Sequence, residues 1–218
     1  MPHAASPTSP ARASAVKALV WIAWILILSG LAYFIARKVP RYFVFTPESY
    51  GDYFWPKKGL LFTHIVGGVV AAVIGPLQFL PKIRRDHLGF HRMAGRLYVG
   101  FVFIGAIASL GMSTRVGPAD AAYGWGLAGL AVAWLVTTGM AFAAIRRKNI
   151  AQHRQWMIRS YVVTFAFVTF RLVEDWFMAV DVMPAHEFDA ILAWGCWAVP
   201  LLFTEMILQS REVFRKRT

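Results

Sequence analysis

Six apolar runs, at about 18–36, 59–80, 95–114, 121–145, 157–180 and 189–209, constrain what this chain can fold into more than any motif it contains. A helix rises ~1.5 Å per residue, so a run near twenty residues crosses the ~30 Å hydrocarbon layer of a bilayer. The first, second and fourth runs carry no charged residue. The fifth is interrupted by Arg171, Glu174 and Asp175 and the sixth by Glu205, yet both keep the length and flanks of a span. With 58% hydrophobic and 16% charged residues, the chain holds more apolar side chains than one water-soluble core can hide. Hydrocarbon offers backbone groups no partner, so the spans have to be helices. The expected fold is all-α: an integral membrane protein with six transmembrane helices, whose second to fifth helices form a central four-helix bundle.

Lysines and arginines sort the loops into two sets. With the N-terminus in the cytoplasm, the segments on that side hold sixteen basic residues against two acids, Asp86 and Glu212, and the opposite segments hold six of each. Basic loops stay cytoplasmic, so both termini are expected inside, in a multi-pass protein of the inner (cytoplasmic) membrane. The net charge of +12 then reads as a topology signal facing anionic lipid headgroups, not as a nucleic-acid surface. Residues 1–16, rich in Pro, Ser and Ala, read as a disordered cytoplasmic leader, and 17–218 as a single six-helix domain with its core at 55–209. The uncharged stretch from Ala18 to Ala36 exceeds a signal-peptide core and reads as an uncleaved anchor. The single Cys196 excludes an intrachain disulfide and a multi-cysteine metal site. The connection RKVPRYFVFTPESYGDYFWPKK is aromatic enough to lie in the membrane interface.

Two spans open almost alike. HRMAGRLYV begins at His91 and HRQWMIRSYV at His153, 62 positions later, each at the cytoplasmic mouth of an ascending helix. The second and third spans make one hairpin and the fourth and fifth another, so the doubled start reads as a parallel repeat about an axis along the membrane normal. The spacing within the copies differs by one, with Arg92 and Arg96 in the first against Arg154 and Arg159 in the second.

Helical periodicity gives each span a polar or small-residue face. On the second span His64, Gly67, Ala71, Gly75 and Gln78 share a stripe that lets another backbone come close. The third carries His91, Gly95, Tyr98, Val102, Gly105 and Ser109, and the fifth His153, Ser160, Thr164, Phe167, Arg171 and Asp175, with Glu174 beside them. Ionisable groups at membrane depth are costly unless paired or lining a cavity, so these faces point into the bundle. Two polar zones follow. At the cytoplasmic end stand Gln78, His91, Tyr98, His153, Arg159, Ser160 and Glu205; at the other, His64, Arg171, Glu174 and Asp175. In the second zone Arg171 is spaced to pair with both acids of its own helix, and His64 to cap the cluster.

Two histidines at one depth on different helices suit the axial positions of a b-type haem, so His91 and His153 are the candidate metal ligands. Gly95, one turn from His91, would leave room for the macrocycle, and Arg92, Arg96, Arg154 and Arg159 would receive its propionates. The expected function is then transmembrane electron transfer through one haem near the cytoplasmic side, with an electron-transfer partner or a second copy as neighbour. The competing reading is a non-redox small transporter or scaffold whose polar cavity takes a proton, an ion or a lipid headgroup. No phosphate-binding loop and no nucleophile–base–acid set is present: the Gly pairs lie within spans.

THIVGGVVAAVIGPLQFL, HLGFHRMAGRLYVG and QHRQWMIRSYVVTFAFVTFRL, in this order, resemble the hallmarks of a bacterial polytopic membrane family known as domain of unknown function 2306. The resemblance runs from about Trp55 to Gln209 and implies the topology and the importance of His64, His91, Arg92, Arg96, His153 and Arg159. The architecture also resembles the cytochrome b561-like dihaem bundles, with His91 and His153 at one pair of ligand positions. The fourth span departs from that pattern, since it has no histidine to partner His64.

Overall fold

The computed structural model describes residues 10–113, 121–180 and 184–214. The first nine residues of the leader, and Arg115, Asp120, Asp181, Arg215, Lys216 and Arg217 of the charge count, lie outside them. Eight α-helices occur among the described residues: α1 Pro10–Arg37, α2 Pro47–Phe54, α3 Lys58–Phe79, α4 Pro81–Asp86, α5 Leu88–Ser113, α6 Ala121–Arg146, α7 Ile150–Val180 and α8 Ala185–Val213. Six of these stretches are long and apolar enough to cross a membrane. The helices extend the apolar runs chiefly with charged and interfacial turns, α1 beginning at Pro10 within the leader and α7 at Ile150. On α4 the Asp86 carboxylate accepts from Arg85 Nε at 2.7 Å and holds that guanidinium above its ordinary pKa. This exposed pair adds little stability.

The bundle is a ring of α3, α5, α6 and α7, in which α3 meets α5 and α7, and α6 meets α5 and α7. Helices α5 and α7 are thus diagonal, as are α3 and α6. α8 packs on α6 and α7, while α1 touches α7 and α3 from outside and leaves Leu19, Trp21 and Leu26 facing outward.

The small-residue stripe of α3 explains the tightest side of the ring. Gly67, Ala71, Gly75 and Gln78 are all buried. A Cβ on Gly67 would lie 2.8 Å from the Phe101 carbonyl oxygen and 2.9 Å from Gly105 Cα, so α3 and α5 cross backbone to backbone here.

The opposite side of α3 is joined to α7 by a different device. Pro76 has no N–H, so the Ala72 carbonyl one turn before it loses its intrahelical donor. In a membrane that oxygen needs a substitute. Tyr161 of α7 provides it, its hydroxyl donating to the Ala72 oxygen at 3.2 Å. Gly75 makes this possible, since any Cβ there would run into the Tyr161 ring. The sequence Gly75-Pro76 and the distant Tyr161 therefore form one joint.

Two outcomes check this packing. Gly67→Ala is expected to destabilise by roughly 1–3 kcal/mol through overpacking, whereas Gly100→Ala, with nothing within 4 Å of the added carbon, is not. Tyr161→Phe should cost about 1 kcal/mol in the native chain and close to nothing alongside Pro76→Ala, whose restored N–H serves the Ala72 carbonyl. Equilibrium unfolding in mixed micelles reads all four variants.

Candidate functional site

The middle of the bundle is closed by hydroxyls. Tyr98 of α5 is fully buried and lies 2.8 Å from both Ser160 Oγ and Thr164 Oγ1 of α7. Thr138 of α6 lies 2.7 Å from Ser160 Oγ, and Trp134 Nε1 donates to Thr164 Oγ1 at 2.8 Å. Thr164 donates its own proton to the Ser160 carbonyl at 2.8 Å. That last bond fixes the rest: Tyr98 must donate to Thr164, Ser160 to Tyr98 and Thr138 to Ser160. Tyr98 and Ser160 stand 62 residues apart, the separation of His91 and His153.

On one side of this plug are the His-Arg helix starts. His91 and His153 are half-buried on the diagonal helices, within electrostatic reach of one another. His153 Nδ1 is 2.9 Å from the Ala141 carbonyl, so it carries the proton and leaves Nε2 as an acceptor. Among the described residues His91 Nδ1 is buried without a hydrogen-bond partner, as are Gln78 Nε2 and Arg159 Nη1. The haem requirements are met only in part. The space beside Gly95 is filled by Gln78, whose Oε1 lies 3.3 Å from where a Cβ would stand, because α3 packs closely on α5. Arg159 turns away toward α8, where Nη2 and Nε reach Glu205 Oε2 at 2.6 and 2.8 Å and the guanidinium covers the Trp156 ring. Arg92, Arg96 and Arg154 remain exposed at the helix starts.

On the other side of the plug a cavity of about 470 Å³ opens at the far end of the bundle. Its mouth is framed by the segment from Lys38 to Phe54, its walls by Phe34, Leu61, Ile65, Phe167 and Phe170, and its inner lining includes His64. His64 lies six residues into α3, ~9 Å along the helix axis. The four-residue spacings of α7 place Arg171 and Asp175 along this cavity, but the pairing differs from the intrahelical triad expected from sequence. Arg171 Nη1 pairs with Glu174 at 2.7 Å, while Asp175 takes Lys38 Nζ, in the turn that follows α1, at 2.5 Å. A cation brought from outside α7 satisfies the second acid better than a guanidinium already engaged.

His64 does not cap the cluster either. Its Nδ1 donates to the Gly105 carbonyl at 2.9 Å, which the close α3–α5 crossing brings within reach, and its ring lies 4.6 Å from that of Phe167. Among the described residues Nε2 has no partner, and it is not among the buried unpartnered atoms. Sequence reading missed Trp134 and Thr138, visible only as an i, i+4 pair in the fourth run, and missed Lys38, Tyr42, Tyr123 and Asp189 of the cavity. No group of three or more His, Cys, Asp or Glu suited to a metal ion occurs among the described residues.

The family described as predicted membrane protein, DUF2306, matches residues 61–208, which span α3 to α8 and hold His64, both His-Arg starts and Arg171. The chain belongs to this family. No curated protein and no solved structure matches the chain, so the likeness to dihaem bundles gains nothing from comparison.

If the plug is the keystone of the DUF2306 bundle, Tyr98→Phe leaves the Ser160 hydroxyl without its acceptor and should lower stability by roughly 1–2 kcal/mol. Thermal unfolding of the purified protein measures it, and an unchanged midpoint would show that the network carries no weight.

Proposed function

We propose that the protein holds a small ligand in the cavity beside His64, as a small membrane transporter or a ligand-holding scaffold, and that the cavity faces away from the cytoplasm. One observation carries this reading: a cavity of about 470 Å³ reaches a histidine whose acceptor nitrogen is uncommitted. Volumes of this order are those of ordinary ligand sites, with apolar walls and a few convergent polar groups. The orientation rests on the loop charges, sixteen basic residues against six. In a Cys196→Ala background, Ser109→Cys, which lines the cavity, is expected to react with a membrane-impermeant thiol reagent applied to intact cells. Ile107→Cys, two residues away and 61% exposed on the outward face of the same helix, should react at least about ten-fold more slowly, because a thiol in hydrocarbon stays protonated. Equal rates would remove the cavity reading, and reaction only in inverted vesicles would reverse the orientation.

A second reading is favoured by the state of His153. A metal-binding imidazole needs one nitrogen protonated toward a fixed acceptor and the other free, which is the arrangement on the Ala141 carbonyl. On this reading His91 and His153 would hold one haem b, Arg92, Arg96 and Arg154 would be the cations for its propionates, and Gln78 would have to move from beside Gly95. The haem would supply one-electron chemistry. Protein from a haem-replete host should then show a low-spin band that shifts on reduction, lost in His91→Ala or His153→Ala and kept in His87→Ala; folded, colourless protein would remove this reading.

A further inference from the structure

The cavity beside His64 has a chemistry that narrows its occupant. Three cations, Lys38, Arg41 and Arg171, face three carboxylates, Glu174, Asp175 and Asp189, so the lining has no net formal charge. Two of the cations are also paired, Lys38 with Asp175 and Arg171 with Glu174. Arg41 and Asp189 stand outside these two pairs, so a charged ligand of either sign would find one opposite charge there and meet three like charges in the same lining. Electrostatics therefore favours a neutral ligand.

Its polar end is set by His64. The Gly105 carbonyl can only accept, so in the neutral ring Nδ1 carries the hydrogen and Nε2 presents a lone pair. The matching group on the ligand is a hydroxyl that donates. Its body is set by the aromatic walls of the cavity: Phe167 is tilted at 39° to the imidazole with centroids 4.6 Å apart, and Phe34, Phe54 and Phe170 are among the other lining residues. Aromatic walls gain most from an aromatic guest, through tilted or offset ring contacts beyond the area they bury.

Resting on the cavity reading above, we propose that the site takes a neutral phenolic ring, a soluble phenol or the hydroxyl-bearing reduced form of a membrane quinone, with its hydroxyl donating to His64 Nε2. The two sources share this chemistry and differ only in their tails.

Protection of a cysteine tests it. Purified Cys196→Ala, Ser109→Cys protein in lipid nanodiscs is treated with the thiol reagent in the presence of 4-heptylphenol, its methyl ether or p-cresol. Saturable slowing by 4-heptylphenol and not by the ether is the expected result. Protection by p-cresol at similar concentration assigns a soluble phenol, and protection by 4-heptylphenol alone assigns the membrane-borne form. Adding His64→Leu should leave labelling intact and raise the half-protecting concentration about ten-fold, the usual effect of a lost hydrogen bond at a buried acceptor. Should that variant misfold, the comparison of phenol with ether decides alone. Equal protection by phenol and ether, or none by any probe on a cysteine that labels freely, overturns the phenol assignment and leaves the cavity standing. A cysteine that does not label overturns both.

Discussion

Hydrocarbon leaves no backbone carbonyl free, and the joint between Pro76 and Tyr161 is how this bundle meets that demand where its helix is broken. Proline within α3 removes one donor, and the chain recovers it from another helix. This converts a local defect into a tertiary tie on the α3–α7 side of the ring, where the backbones meet far less than those of α3 and α5. The second tie, Tyr98 across to Ser160 and Thr164, joins helices whose backbones stand diagonally. Two tyrosines thus hold the bundle where close packing of glycine against backbone does not.

These ties use residues from both of the similar helix starts. Read by letters, the Tyr-Val of one copy aligns with the Tyr-Val of the other, and the spacing is off by one. The structure keeps the constant separation of 62 instead, which sets Ser160 opposite Tyr98 and turns Tyr161 by one position toward α3. Tyr98 and Tyr161 therefore make different contacts, one across to α7 and one to α3.

The helices themselves were legible because length and apolarity are properties of the chain, and the burial of Gly67, Ala71, Gly75 and Gln78 followed from a 3.6-residue period. What faces what was not. That Gln78 would occupy the space beside Gly95, or that Asp175 would leave Arg171 for Lys38, depends on the register between helices, which periodicity within one helix does not contain. The cavity was still less visible, since part of its lining comes from the interfacial segment that the charge pattern described only as a loop.

The hydroxyls at the centre have a sense of direction. Starting from Thr138, each passes its hydrogen to the next, and the sequence stops on the Ser160 carbonyl. Turning the order round would require every hydroxyl to rotate and Thr164 to give up the Ser160 carbonyl, while Trp134 would keep its acceptor. The middle of the molecule is therefore a chain of hydrogen bonds with one sense, set by the Ser160 carbonyl at its end. The cavity beside His64 and the His-Arg helix starts are thus held apart by a layer of side chains bonded to one another.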